Sequence, residues 1–466
     1  MRFAIKLKVR HLIAALLVTA GVAVSAQTFV KPDDPGIKFT GAFFNKISAS
    51  KVIFRRHSDT FLALADWNVS LANDDNAKTT SGVTINFSTD ADRIDLHFRM
   101  LPGKNSWNLY SSYYIDGDST GLLKQKRDDL TAAEDSSFIF SVSSPSTGSH
   151  TYRFVLGIYN TVAFEGITLT GGPETLNNLT LPVKPVYVAY GNSITHGQGQ
   201  NTGDQAYPWV LAERMGWELC NIAVGGSRTS VPMAEMLKNE VPDKIKYMTI
   251  LIGYNDAIGS SKDTTYYREK LISFIDTVRK GHPETKIFVL GQTFTIKNEN
   301  KNGDPVDFDD WRKVQKYVVD SLTSDGDTLI HYINGEEFTD YSSLNNPPKD
   351  PVHLSIPGAC SFGNALADTI KHLTGSPSAI FTHSAHRISI DVYPNPTTDY
   401  VTVHFSKTLE KPEYLLFDMS GKLLEHKRIK STDAQIKMTG YPVGSYILKF
   451  KDGQLLLQTF KIIKRQ

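Results

Sequence analysis

The sequence predicts a multidomain protein: a central α/β/α three-layer domain with a parallel sheet, flanked by an N-terminal β-sandwich and a small C-terminal β-sandwich. Three observations lead there. The 466 residues exceed what one compact domain holds and fit roughly three. Residues from about 28 to 172, and again from Ile388 to the end, read as short period-two strands with polar turns. Between them, apolar strand runs alternate with helical patterns, as in a sheet built from βαβ crossovers. With 40% apolar and 21% charged residues, the composition is that of an ordinary globular chain.

Residues 1–26 read as a signal peptide. Arg2, Lys6, Lys8 and Arg10 precede an apolar run from Leu12 to Val24, and Val24-Ser25-Ala26 presents the small residues a signal peptidase reads, which makes Gln27 the mature N-terminus. The run is shorter than the roughly 20 residues of a membrane span. No cysteine follows the cleavage site to carry a lipid, and no transmembrane segment is expected in the mature chain. Cleavage takes Lys plus Arg from 50 to 46 against 49 Asp plus Glu, so the mature chain is near −3. The stretch from His386 onward holds 13 basic and 8 acidic residues, leaving about −8 for 27–385. That balance carries no footprint for nucleic acid. Cys220 and Cys360 are the only cysteines, compatible with one disulfide and equally with two buried small apolar residues.

In the N-terminal zone, 27–175, Val83–Phe87, Arg93–Phe98 and Tyr152–Leu156 alternate in the manner of sandwich strands, with turns at Asp116-Gly117-Asp118 and Ser144-Pro145-Ser146. From 183 to 374 the strand candidates are Val186–Ala189, Leu219–Val224, Met248–Ile252, Ile287–Leu290 and Leu329–Ile333. Helical patterns cover Tyr207–Met215, Asp263–Lys280, Trp311–Leu322 and Gly358–Leu373. Gly375-Ser376-Pro377-Ser378 opens a linker, 375–387, and residues 388–466 form the last zone.

Four short segments of the central zone bear chemistry. Gly191-Asn192-Ser193-Ile194-Thr195 puts a serine in a tight turn after a strand, where its hydroxyl either caps a helix or serves as a nucleophile once a base reaches it. Asp350-Pro351-Val352-His353 supplies that base, with Asp350 three residues ahead to turn back onto Nδ1 and fix the tautomer. Gly225-Gly226 offers backbone N–H groups unobstructed by a Cβ, and Gly253-Tyr254-Asn255-Asp256 offers the Asn255 amide. Singly, each is ordinary turn chemistry.

In that order, each at a strand end, the four segments resemble the SGNH (GDSL-type) hydrolase superfamily over about residues 183–374. The resemblance implies Ser193 as nucleophile, His353 as base oriented by Asp350, and an oxyanion hole from the Ser193 N–H, the Gly226 N–H and the Asn255 amide. Gly226 is chosen over Gly225 because it lies five residues after Asn221. Asn192 departs from the family's usual Asp, outside the proton relay. His196 reads as structural or at the substrate edge, and Glu213 and Arg214 as the solvated face of a helix. Tyr254, Trp209 and Trp311 read as core. No cluster has metal-ligand spacing, so neither metal nor organic cofactor is expected.

Val392-Tyr393-Pro394-Asn395-Pro396-Thr397-Thr398-Asp399 and Pro442-Val443-Gly444-Ser445-Tyr446 resemble the C-terminal sorting domain of the type IX secretion system. That implies a partnership with the secretion machinery and a place outside the cell or on its surface. More loosely, the N-terminal sandwich resembles the one ahead of the catalytic domain in carbohydrate esterase family 2. Together the resemblances imply a secreted serine esterase deacetylating oligo- or polysaccharides. The rivals are a lipid or aryl esterase of the same superfamily and a catalytically inactive glycan-binding surface protein.

Overall fold

A computed structural model describes the chain except residues 1–26, 65–73, 127–135, 173–174, 242–243, 260–262, 376–389, 406–408, 410, 419–421, 453–454 and 466. The proposed signal peptide and nearly all of the proposed linker lie outside the described residues.

Two antiparallel sheets make the N-terminal sandwich. One runs in the order Lys46–Ile47, Val52–Ile53, Val162–Thr170, Arg93–Met100, Ser137–Ser143, with Gln27–Val30 also on Val162–Thr170. The other runs Lys38–Thr40, Thr84–Thr89, His150–Leu156, Asn108–Ile115, Asp118–Lys126. Alternation is clean where one face meets water: along Ser137–Ser143, Phe138, Phe140 and Val142 point inward between exposed neighbours. Thr84–Thr89 is buried on both faces. The zone also holds two four-residue helices, Asp59–Leu62 and Asp74–Ala77, which the alternating pattern did not reveal.

The central sheet is parallel. Its strands are β1 (Val186–Gly191), β2 (Glu218–Asn221), β3 (Tyr247–Leu251), β4 (Lys286–Leu290) and β5 (Ile330–Ile333), in the order β2-β1-β3-β4-β5. Helices lie between and after them: α1 (Ser193–His196), α2 (Tyr207–Met215), α3 (Val231–Glu240), α4 (Tyr254–Ile258), α5 (Thr264–Gly281), α6 (Phe308–Ser324) and, beyond β5, α7 (Ile356–Thr374). Buried residues on both faces of the sheet join one core, and Phe61 and Ala77 of the sandwich zone belong to it. The order reverses at β1, and the carboxyl ends around β1 form the crevice in which such sheets bind ligands.

The expected strand Leu219–Val224 ends early. Ile222 and Val224 N–H still bond to β1, but Ala223 N–H turns onto Asn221 Oδ1 (3.0 Å), and the ladder stops at Asn221. Gly253 to Asp256, expected as a loop, instead caps and begins α4.

Residues 390–465 form a separate unit of two antiparallel sheets. Ile390–Tyr393, Tyr400–Phe405 and Asp433–Lys437 make one, and Leu423–Arg428, Pro412–Asp418, Gly444–Asp452 and Leu455–Lys464 the other. Val401, Val403, Leu416, Leu448, Phe450 and Ile462 are in its core. Among the described residues no helix is long and apolar enough to cross a membrane.

Candidate active site

At the end of β1 the chain turns so tightly that a Cβ on Gly191 would run into the Thr195 hydroxyl and lie 2.7 Å from Leu251 O. Asn192 is the cap of α1, its Oδ1 accepting the Ile194 N–H at 3.0 Å. Of the two roles open to the serine, the cap is therefore taken by its neighbour. Ser193 begins the helix, partly exposed, with Oγ 2.8 Å from His353 Nε2.

His353 sits in the loop before α7. Its Nδ1 lies 3.0 and 3.1 Å from the two Asp350 oxygens, and its own backbone N–H donates to Asp350 Oδ1 at 3.1 Å. Asp350 is acceptor-only when ionised, so Nδ1 carries the proton and Nε2 accepts from the Ser193 hydroxyl. The loop is pinned: Asn345 N–H donates to His353 O (2.7 Å), Gln200 Nε2 to Leu354 O (2.6 Å) and Thr295 Oγ1 to Pro351 O (2.9 Å). Burial pulls the His353 pKa below its ordinary value, and the Asp350 carboxylate opposes that shift.

The donor loops meet the same crevice. Gly225 N–H is spent on His196 Nδ1 (3.0 Å), whereas neither Gly226 N–H nor Ser193 N–H has an acceptor among the described residues. Gly226 has φ +83°, where a Cβ is strained. Asn255 gives one amide hydrogen to Ser227 O (2.9 Å), which orients the side chain and leaves the second hydrogen available. Ser227 Oγ in turn donates to Gly191 O (3.0 Å), so one residue ties the three loops together. Asp256 anchors the far end, accepting the Thr229 N–H at 3.2 Å, and burial pushes its carboxyl up to about 6. Ser193, Gly226, Asn255, Asp350 and His353 are all partly exposed at this one sheet edge. The arrangement can draw a proton from Ser193 to His353.

Other residues take plainer places. His196 is fully buried, its Nε2 2.8 Å from Thr79 Oγ1. Glu213 and Arg214 are not simply solvated, since Glu213 pairs with Arg153 (3.2 Å) and Arg214 with Asp368 on α7. Tyr254, Trp209 and Trp311 are in the core. Cys220 is buried and Cys360 is exposed, and the two are not joined in a disulfide. Among the described residues no group of three or more His, Cys, Asp or Glu is placed to hold a metal ion.

What the sequence reading did not foresee is how far the sandwich enters this region. Asn76 Nδ2 donates to Gly225 O (3.1 Å), Ser81 Oγ to His196 O (2.6 Å) and Tyr159 OH to Gln198 Oε1 (2.5 Å). The Tyr159 ring lies 4.9 Å from that of His196. These residues have no shared spacing, and their partners are mostly backbone.

The fold of the central zone is that of an SGNH-like α/β domain. Residues 189–359 match the GDSL-like Lipase/Acylhydrolase family, and residues 391–465 match the Secretion system C-terminal sorting domain. The chain thus carries a domain of each kind. Among solved structures, it is similar to the salicylyl-acyltransferase SsfX3 from a tetracycline biosynthetic pathway at 19% identity and TM-score 0.64, covering 76% of this chain and 99% of that one. A putative GDSL-like lipase from Bacteroides ovatus aligns at 15% identity and TM-score 0.58, over 75% and 98% of the two chains. A family two carbohydrate esterase from Cellvibrio japonicus aligns at 15% identity and TM-score 0.52, over 75% and 99%. Such likenesses establish a shared fold, and they span the sandwich as well as the hydrolase domain. No curated protein matches the sequence.

Proposed function

We propose that this chain is an exported serine ester hydrolase that deacetylates glycans through an acyl-enzyme on Ser193. The observation that carries the reading is the relay from Ser193 Oγ to His353 Nε2 (2.8 Å) and from His353 Nδ1 to Asp350 (3.0 Å). Ser193 Oγ attacks the ester carbonyl while its proton passes to His353, and Asp350 stabilises the imidazolium. The oxyanion is met by Ser193 N–H, Gly226 N–H and the Asn255 amide. The intermediate then expels the sugar hydroxyl, which takes the proton from His353. Water, activated by His353, attacks the acetyl-serine and releases acetate.

The glycan reading draws on the pairing of a sandwich with an SGNH-type domain, the arrangement also present in the family two carbohydrate esterase. A further support is Trp107, 78% exposed, beside Ser106, whose N–H donates to Tyr159 O at 3.0 Å. A tryptophan there offers a flat face to a sugar ring. Trp107→Ala is expected to raise KM for an acetylated oligosaccharide roughly two- to ten-fold and leave hydrolysis of 4-nitrophenyl acetate unchanged. Equal losses on both substrates would count against a sugar subsite. Residues 391–465 direct the protein through a type IX secretion system after Sec export by residues 1–26.

Two measurements test the reading. Acetate release from acetylated polysaccharides, compared with cleavage of long-chain acyl esters, decides the substrate class: preference for long acyl chains would favour the lipid or aryl esterase. The pH profile tests the base. A neutral His353 is required, and burial lowers its pKa, so the acid limb of kcat/KM should be centred below the ordinary histidine value of about 6.5. An acid limb centred above about 7 would remove His353 from the role.

A further inference from the structure

Among the described residues Arg56 is the largest fully buried side chain, and it belongs to the sandwich zone. A buried cation is costly unless its donors are satisfied. Among the described residues no carboxylate pairs with it; instead all five of its N–H groups find neutral oxygens. Nε donates to Thr79 O (2.8 Å), Nη1 to Asn221 O and Ala223 O (both 2.7 Å), and Nη2 to Asn76 O (3.0 Å) and Thr79 Oγ1 (3.3 Å). The neighbouring His57, its pKa pulled down to about 3 by burial and by Arg56, puts Nε2 2.9 Å from Ile222 O and Nδ1 3.2 Å from Ala77 O. The carbonyls of Asn221 and Ala223 therefore accept from Arg56, and the Ile222 carbonyl between them faces the His57 ring. They form the stretch that leads straight into Gly225-Gly226.

A second chain reaches the same loop. His196 accepts the Gly225 N–H on Nδ1, so its proton must sit on Nε2 and point at Thr79 Oγ1. The Thr79 hydroxyl then donates to Asn76 O (2.9 Å), and Asn76 Nδ2 holds Gly225 O (3.1 Å). A proton on Nδ1 would face the Gly225 N–H, donor against donor. Burial, with Arg56 and His57 close by, keeps His196 neutral.

We propose that Arg56, with Thr79 and His196, is a positioning residue for the oxyanion loop, setting the aim of the Gly226 N–H from the N-terminal sandwich. The inference rests on the serine-esterase reading. It makes the sandwich a working part of the catalytic unit. A residue that only glued two domains together would change stability; one that aims a donor changes the barrier with substrate binding intact.

The test uses the full chain, 4-nitrophenyl acetate and a phosphonate mimic of the tetrahedral intermediate. Arg56→Lys keeps the charge but has too few donors for five acceptors. Thr79→Val keeps the shape and strips His196 of its acceptor. We expect kcat to fall about 10- to 100-fold in Arg56→Lys and about 10-fold in Thr79→Val, with KM within about two-fold, as for partial loss of one oxyanion donor. Affinity for the phosphonate should fall by the same factor as kcat/KM. Should Arg56→Lys fail to fold, Thr79→Val decides alone. If wild type is active and folded variants keep kcat within about two-fold, the positioning role is overturned and the esterase reading stands. If wild type hydrolyses no ester, the reading itself fails and this inference falls with it.

Discussion

Ser193→Ala is expected to lower kcat/KM for 4-nitrophenyl acetate by roughly 10³-fold or more, with no loss of fold. Among the described residues the only side-chain partner of Ser193 is His353, and the helix it begins is capped by Asn192, so the hydroxyl has no structural duty to lose. His353→Gln should cost about as much, and the double variant little more, because the two act as one relay and such losses do not add. Circular dichroism and melting temperature separate this result from unfolding. A Ser193→Ala protein retaining a tenth or more of wild-type activity, roughly, would move the nucleophile elsewhere.

The second large effect is expected at Asn255. Removing one oxyanion donor costs about 10²–10³ in kcat, so Asn255→Ala should lose turnover in that range while KM stays within a few-fold. The loss has a second, smaller component. Ser227 O would lose its 2.9 Å donor, at about 1 kcal/mol of stability for one hydrogen bond. A kcat unchanged beside a lowered melting temperature would leave Asn255 as a strut between loops and nothing more.

Much of this architecture was legible in the sequence, and the parts that were not have physical reasons. The parallel strands are short apolar runs bounded by Gly and Pro, so their existence could be read; their ends and their order in the sheet could not. Leu219 to Val224 looks like one strand because all six residues suit it, and only Asn221 Oδ1 and the Arg56–His57 pair, supplied from far upstream, reveal where the ladder stops. The α3 helix, Val231–Glu240, was missed because its apolar face is carried by two methionines, an alanine and a leucine between polar neighbours. The Ser193, Gly226, Asn255 and His353 segments stood out because each is a strand-end phrase with its own chemistry. Arg56, His57, Asn76 and Thr79 left no such trace. Their partners are backbone carbonyls, which every residue carries, at separations of more than a hundred residues for the longest of them.

His196 illustrates how local reading misleads. Three residues after the serine, it is a natural rival to His353 for the base. The structure buries it with both ring nitrogens occupied, by Gly225 N–H and by Thr79 Oγ1. Among the described histidines, His353 alone has a ring nitrogen on the Ser193 hydroxyl.

The most direct test of the central claim is covalent capture. The mature protein would be treated with a fluorophosphonate, digested and analysed by mass spectrometry, alongside Ser193→Ala and His353→Gln. The account predicts a single adduct on the peptide holding Ser193, absent from Ser193→Ala and strongly slowed in His353→Gln. An active enzyme left unlabelled, or labelled on another residue, would contradict it.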